Sequence, residues 1–290
     1  MESARQDRIG IVGCGRVAQA LGRLLVERGQ PVAALAGRDP ARTAAAAGFV
    51  GVKAAQIEEL PALVSRLLVA VADGALPVVA KSLAAAGMKG GIALHTSGAH
   101  GPEALAPLAE QGVSCGTLHP LQTIATPELG LAALPGAAFG ITAEGAAARW
   151  AGQIVGLLGG TPLSIPTDRR PLYHAAAVLA SNCLVALADA AVILMSAAGV
   201  APETALQALA PLLRASCENT LTLGPTAALT GPIERGDLET IAHHRSALTA
   251  APATVRELYR VASLHLVEIA RRRGQAAETA DRLEALLLQR

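Results

Sequence analysis

The chain has 290 residues, a formal net charge of +1 and only 2% aromatic residues. This length suffices for one large domain or for two, each with its own core. A polyanion partner is excluded, because phosphate binding needs clustered basic residues and base stacking needs aromatic rings. We therefore expect a protein that binds no nucleic acid.

The four cysteines are far apart and have no histidine at metal-ligand spacing. Such cysteines are typical of small, buried residues in a reducing compartment, and they predict no metal site. Residues 1–7 are polar and lack the basic and then apolar pattern of a secretory signal. We therefore expect a cytoplasmic protein.

The first apolar run, residues 9–12, has the pattern of a buried strand and is followed by the sequence GCGRVA and an amphipathic helix pattern. In a G-x-G-x-x-A turn, the first glycine turns the chain tightly and the second lets a pyrophosphate approach the backbone. The following helix presents free amides to the phosphates. We predict a dinucleotide site that includes Gly13, Cys14, Gly15, Arg16 and Val17; the alternative is a structural glycine-rich turn.

The residues after the second predicted strand, 31–36, indicate which dinucleotide is bound. An Asp or Glu there favours NAD, whereas this chain has Arg38, with Arg42 one helical turn further on. A guanidinium holds a 2′-phosphate through two parallel hydrogen bonds. The sequence predicts NADP, and the alternative is that Asp39 accepts hydrogen bonds from the ribose while both arginines are ordinary solvated residues.

Strands and helices alternate over the first half of the chain. A short strand or a bend is predicted at 49–52. Further strands are predicted at 67–72, 92–95, 113–118, 138–142 and 161–165, with helices at 40–47, 75–86 and 146–158. This alternation is typical of the α/β class with a doubly wound parallel sheet. From residue 167 onward only helical patterns occur. We predict an NADP-binding domain at 1–166 and a helical substrate and dimerisation domain at 167–290.

The stretch 175–200 is nearly all apolar and is long enough to cross a bilayer. Asn182 and Asp189 interrupt it, and an Asp near the bilayer centre costs about 2.5–3.5 kcal/mol on insertion scales. We predict a fully buried helix, covered by the later helices and by a second subunit, and no membrane association.

Ligands of doubly wound sheets bind at the carboxyl ends of the strands, where several polar residues are predicted. Ala72, Asp73 and Thr96 are candidates for the cofactor, and Ser97 for the substrate. The alternative for Thr96 and Ser97 is a turn that satisfies its own backbone. His119 is predicted to follow a strand, either as a proton donor or substrate ligand or as a structural histidine.

The start of the helical domain carries a second group of candidates. Tyr173 and His174 place a phenol and an imidazole where the two domains are expected to meet. Asn182 lies about two turns further on and is expected to be buried, so its amide needs a partner, either substrate or backbone. The predicted catalytic set is therefore His119, Tyr173, His174, Asn182 and Ser97.

Five stretches together carry a resemblance to a known family: IGIVGCGRVA, LHTSGA, GTLHPLQTI, YHAAAVLASN and LTGPIERGD. The chain resembles bacterial Rossmann-like proteins with a second helical domain of unknown function. That family is similar to pyrroline-5-carboxylate reductase, ketopantoate reductase and the deazaflavin-dependent NADP oxidoreductases.

The resemblance implies a second domain of the 6-phosphogluconate dehydrogenase C-terminal type, which commonly forms a homodimer. Hydroxyacid dehydrogenases of that superfamily have a lysine four residues before an asparagine, whereas this chain has Val178 before Asn182. We expect an NADP-dependent reductase of a small C=N or C=O substrate held between the domains. The alternative is an NADP-binding sensor or scaffold without turnover.

Overall fold

The computed structural model describes residues 7–289, which divide into two compact units, one up to Leu179 and one from Ala180. The predicted domain boundary at 166/167 marks the change from strands to helices. The division by packing lies thirteen residues later, because the first helix after that change is anchored on the sheet.

The eight strands of the described residues form one sheet in the order β3-β2-β1-β4-β5-β6-β7-β8. The strands are β1 (Ile9–Val12), β2 (Val32–Ala36), β3 (Lys53–Ala55), β4 (Arg66–Val69), β5 (Ile92–His95), β6 (Ser114–Pro120), β7 (Ala138–Ala143) and β8 (Thr161–Ser164). The central strands are buried on both faces, as expected where helices cover a parallel sheet from both sides. The predicted α/β fold class is confirmed.

Strand β7 differs from the prediction because it runs antiparallel to β6. Phe139 near the start of β7 pairs with Pro120 at the end of β6. The connection between them holds only a seven-residue helix, and the chain re-enters the sheet at the edge it has just left. A short return of this kind gives an antiparallel neighbour.

The eight α-helices that belong wholly or largely to the first unit are α1 (Arg16–Glu27), α2 (Pro40–Val50), α3 (Leu60–Leu63), α4 (Leu76–Ala85), α5 (Ala106–Ala109), α6 (Pro127–Ala133), α7 (Gly145–Leu157) and α8 (Arg170–Ala180). Of the two alternatives predicted for 49–52, the strand is wrong, since residues 51 and 52 form a turn and a bend. Helix α2 continues to Val50, where Gly51 in a left-handed conformation ends it, and the strand follows at 53–55.

The described part of the second unit is helical. Its helices are α9 (Asn182–Ala197), α10 (Pro202–Leu223), α11 (Pro225–Ala228), α12 (Pro232–Arg235), α13 (Leu238–Leu248), α14 (Ala253–Arg272) and α15 (Ala277–Leu288). Pro202 occupies the first turn of α10, where its missing N–H does no harm. A core centred on Ile241, Val267 and Leu283 lies among α12 to α15.

The apolar helix predicted to be fully buried is exposed in this chain. Helix α9 has no buried residue, and only 6% of the most apolar 18-residue window of the helical run Thr167–Ala197 is buried. The mean hydropathy of that window, 2.1, makes this one run of the described chain long and apolar enough to span a membrane, by length and composition only. The prediction of full burial is wrong for a single chain, because α10 is the one later helix of the described residues that packs extensively on α9.

Candidate functional site

Two adjoining clefts lie at the carboxyl ends of the parallel strands. The larger has a volume of about 980 Å³ and the smaller about 340 Å³, and both are lined by Gly15 and Ala72. Of the predicted residues, the larger also contains Gly13, Cys14, Arg38 and Arg42, and the smaller Arg16, Val17, Thr96 and His119. Nine of the predicted cofactor residues therefore surround one continuous groove.

The two fingerprint glycines have different roles. Gly13 has a φ of +125°, and a Cβ there would lie 2.1 Å from the Ala70 carbonyl oxygen. The fold therefore requires glycine at position 13 whether or not a ligand binds. A Cβ on Gly15 would have no protein atom within 4 Å among the described residues. The space beside Gly15 is therefore open to a ligand that approaches the backbone.

Helix α1 begins directly after Gly15 without a side-chain cap. The first amide to donate back into the helix is that of Gln19, which bonds to the Gly15 carbonyl at 3.0 Å. The preceding amides of the first turn lack helical partners, and Gly15, Arg16 and Val17 line the smaller cleft, which favours an anionic group there. Arg16 directs its side chain away, to the Ala125 carbonyl at 3.1 Å.

At the other end of the larger cleft, Arg38 and Arg42 are exposed and form no ion pair with another described residue. The Asp39 carboxylate instead caps α2, accepting the Arg42 amide at 2.9 Å. This cap supplies a structural role for Asp39. The arrangement favours the interpretation that the arginines bind a 2′-phosphate over the interpretation that Asp39 accepts hydrogen bonds from the ribose.

Asp73 lies outside both clefts, although it was predicted to bind the cofactor. Its carboxylate is 3.8 Å from Nε2 of His100. It stands in the 3-10 turn Asp73–Ala75 before α4, and this turn directs the side chain to that neighbouring loop.

His119 was predicted to follow a strand but lies inside β6, because the strand continues to Pro120. Its Nδ1 is 2.8 Å from the Tyr173 hydroxyl, and its ring is 6.0 Å from that of His174. Two glycines permit this approach. A Cβ on Gly98 would collide with both histidines, and one on Gly140 would lie 2.4 Å from the Tyr173 hydroxyl.

Arg170, which sequence reasoning missed, lies beside this group and is 0% exposed. Its guanidinium donates to the Thr117 and Thr142 hydroxyls, each at 2.9 Å, and to the Ser97 carbonyl at 2.6 Å. It forms no ion pair with any described carboxylate, and its Nε is buried without a partner in the described chain. The spacing of the sequence could have revealed Arg170, because residues 170, 173 and 174 lie on one face of a helix.

Burial and this fixed charge determine the protonation of the group. Burial, together with smaller effects of Arg170 and His174 and against the opposing effect of Asp73, lowers the pKa of His119 to about 4, so the imidazole is neutral at pH 7. Burial also raises the pKa of Tyr173, against the opposing effects of Arg170 and the Gly140 backbone. At neutral pH the pair is a neutral imidazole and a neutral phenol.

Two predicted substrate residues are engaged elsewhere or exposed. Ser97 is buried, and its hydroxyl accepts the His100 amide at 3.2 Å, which favours the structural alternative left open above. Asn182 belongs to the second unit and is exposed, so the expectation of burial is wrong. Its amide oxygen accepts from the Ser181 hydroxyl at 3.0 Å, where the backbone interrupts the long helical run.

The groove fits a phosphorylated dinucleotide. The open space beside Gly15 matches a pyrophosphate, the free amides of α1 match its charge, and the two arginines match a 2′-phosphate. For metals, residues 7–289 contain no group of three or more His, Cys, Asp or Glu residues placed to hold an ion.

Comparison with known proteins agrees with this architecture. A family model described as a Rossmann-like domain matches residues 1–120, and one described as a domain of unknown function, DUF2520, matches residues 137–266. No curated protein matches the chain.

Solved structures share the fold over nearly the whole length. Protein TM1727 from Thermotoga maritima is 23% identical, with a TM-score of 0.71 over 91% of this chain and 98% of its own. An imine reductase from Pseudomonas sp. is 18% identical, with a TM-score of 0.64 over 97% and 100%. A pyrroline carboxylate reductase from Plasmodium falciparum with NADP bound is 11% identical, with a TM-score of 0.58 over 97% and 98%.

At these identities the solved structures establish the fold, while the two family models establish the domain content. Residues 1–120 therefore match a Rossmann-like domain, and residues 137–266, which begin at β7 and include most of the helical unit, match the domain of unknown function DUF2520.

Proposed function

We propose that the protein is an NADP-dependent oxidoreductase that reduces a C=N or C=O bond of a small substrate. The observation that carries the proposal is the continuity of the groove. One end has two arginines without ion-pair partners among the described residues, and the other contains His119 beside Tyr173. An extended dinucleotide is the class of ligand that needs both ends at once.

The reduced nicotinamide would supply a hydride, so the chain's own residues have to bind, orient and move a proton. Gly15 and the amides of α1 hold the pyrophosphate, and Arg38 and Arg42 hold the 2′-phosphate. Thr96 and His119 line the smaller cleft, where the reacting end of the cofactor belongs. His119 and Tyr173 are the proton-donating groups of the site.

The named activities of two solved structures with the same fold support this assignment. An imine reductase and a pyrroline carboxylate reductase with NADP bound share the two-domain fold. Because one fold supports many reactions, they favour the reaction class while the site residues carry the argument.

The proposal is tested first by calorimetric titration with NADPH and NADH. We expect NADPH to bind at least about ten-fold more tightly, a difference of about 1.4 kcal/mol, because only NADPH has the phosphate that pairs with Arg38. The variant Arg38→Ala should remove most of this preference and leave NADH affinity unchanged. Arg23→Ala is the matched control, because Arg23 pairs with Glu27 on α1 at 2.7 Å.

Equal affinity for both coenzymes, or an unchanged preference in Arg38→Ala, would contradict the cofactor assignment. NADPH binding without consumption against panels of imines and carbonyl compounds would instead favour a sensor or scaffold that binds NADP without turnover.

We also propose that the protein is a homodimer. The exposed apolar residues of α9 and α10 are Leu184, Val185, Leu187, Leu206, Leu212, Leu221 and Leu223. An apolar surface this extensive on two adjacent helices is typical of an interaction site, and a second copy of the chain would cover it.

A further inference from the structure

The proposed function includes both carbonyl and iminium substrates, and the charge of the site distinguishes between them. The inference rests on that function, because it concerns the substrate of the same site. It starts from the group around His119 in the first unit, where Nδ1 contacts the Tyr173 hydroxyl at 2.8 Å.

The hydrogen bond assigns the protons of the pair. A neutral imidazole carries one N–H, and a phenol is the better donor of the two groups. The Tyr173 hydroxyl therefore donates to Nδ1, which leaves the N–H on Nε2. Nε2 bonds to no described residue, and His119 lines the smaller cleft, so this N–H is available to a substrate oxygen.

The only buried charge next to this pair in the described chain belongs to Arg170. Its guanidinium carbon is 5.8 Å from the centre of the Tyr173 ring, and the guanidinium bonds only to neutral oxygens. A charge taken out of water without a counter-ion acts strongly on its neighbours, because little solvent screens it.

The acidic groups nearby are poorly placed to cancel this charge. Asp73 has a half-exposed side chain and lies beside His100, and Glu103 is exposed and accepts the Gly101 amide at 2.8 Å. Water and salt screen exposed carboxylates much more than a buried guanidinium. The electrostatic potential at His119 and Tyr173 is therefore positive.

A positive potential has opposite effects on carbonyl and iminium substrates. Hydride addition to a carbonyl creates negative charge on the oxygen, which the positive potential stabilises. An iminium already carries a positive charge, and a fixed cation repels it before any reaction.

We propose that the site reduces a neutral carbonyl compound. Tyr173 and His119 form a proton relay, and Arg170 is the positioning residue whose fixed positive charge acts on that relay. The carbonyl carbon gains the hydride of NADPH and the π electron pair moves to the oxygen, leaving NADP⁺. The oxygen takes the proton of Nε2, Nδ1 takes the phenol proton, and the phenolate beside Arg170 regains a proton from water. The product is an alcohol.

Binding of two probes to the complex with NADPH tests the charge preference without turnover, because neither an alcohol nor an amine accepts a hydride. Cyclopentanol is neutral and the pyrrolidinium ion is cationic, and both are five-membered rings. In calorimetric titrations we expect cyclopentanol to bind at least about ten-fold more tightly, a difference of about 1.4 kcal/mol. Arg170→Met should bring the ratio near one, and Arg170→Lys should preserve it.

A second measurement separates this role from a merely structural one. The pKa of His119, measured by NMR titration, should rise towards its ordinary value in Arg170→Met and stay low in Arg170→Lys. The groups that face His119 are Arg170, Tyr173 and His174 on α8 and Asp73 before α4, and the variants change only Arg170.

Because Arg170→Met can unfold, Tyr173→Phe is an additional variant. It should slow ketone reduction at least about ten-fold while NADPH affinity is unchanged.

Turnover distinguishes the two proposals. Consumption of NADPH with cyclic imines in preference to matched cyclic ketones would overturn the carbonyl inference and leave the proposed function standing. A lack of turnover with both panels would contradict the proposed function. Equal binding of the two probes, or tighter binding of pyrrolidinium, would overturn the inference whatever the turnover.

Discussion

At the scale of single residues, small side chains determine what the groove can hold. Gly13 is needed by the protein, because a Cβ there would collide with the Ala70 carbonyl oxygen, whereas Gly15 borders open space. Gly98 and Gly140 admit the imidazole and phenol rings that form the candidate reacting group. Glycine is therefore needed for folding at position 13, whereas at position 15 it borders open space.

This difference predicts that alanine substitutions at positions 13 and 15 have distinct effects. Gly13→Ala should lower the Tm by about 4–8 °C, the shift that corresponds to a loss of about 2 kcal/mol in a domain of this size. Gly15→Ala should leave the Tm nearly unchanged and weaken NADPH binding at least about ten-fold, because its methyl group occupies the pyrophosphate space. Thermal unfolding followed by circular dichroism and NADPH titration measure the two effects. A Tm loss in Gly15→Ala as large as in Gly13→Ala would show that both glycines serve folding alone.

At the scale of elements, one helix and one strand assemble the candidate reacting group. Residues at i, i+3 and i+4 share a helix face, so the first turn of α8 presents Arg170, Tyr173 and His174 together. Thr117 and His119 are two positions apart on β6 and point to one face of the sheet. Arg170 bonds to Thr117 while Tyr173 bonds to His119, which fixes the helix on the strand in one register.

Helix α2, which begins beside the arginines, tests the role of Asp39 at the same scale. Asp39→Ala should cost about 1 kcal/mol of unfolding free energy, because the first turn of α2 loses its cap. Asp39→Asn should retain that stability, since asparagine caps equally well. NADPH affinity should survive in Asp39→Asn. Chemical denaturation and calorimetry check both expectations, and a marked loss of affinity for both coenzymes in Asp39→Asn would restore Asp39 as a ribose acceptor.

At the scale of the whole molecule, the exposed helix α9 is the main feature that a single chain leaves unexplained. Its Val185 is 70% exposed, and Leu212 on the neighbouring α10 is 62% exposed. Burying such side chains contributes about 1.5–3 kcal/mol each, which supports the proposal that a second copy of the chain covers them.

The dimer proposal predicts a mass of about twice the 29.3 kDa of one chain in sedimentation equilibrium. The double variant Val185→Asp with Leu212→Asp should sediment as a monomer, because charged groups are costly to bury in an interface. Leu129→Asp is the control, since Leu129 is 58% exposed on α6 in the first unit. A monomeric wild-type chain would contradict the dimer, and a chain that sediments only with vesicles or detergent would favour a membrane partner for α9.

By itself, the sequence determined the features that depend on local chemistry. Glycine spacing indicated the glycine-rich turn after β1, and the alternation of apolar runs indicated the α/β sheet. The binding of a 2′-phosphate by the two arginines stays a prediction. Helix ends at glycine and helix starts at proline were also predictable, because φ preferences act within one or two residues.

Only the tertiary structure decided the features that depend on distant residues meeting. It placed Tyr173 on His119, 54 positions apart in the chain, and buried Arg170 against strands β6 and β7. It also reversed the direction of β7 and left α9 exposed. Periodicity reports which side of an element is apolar, whereas the partner that covers that side is set by long-range packing. The cofactor groove was therefore predictable in outline, while the charge of the site was not.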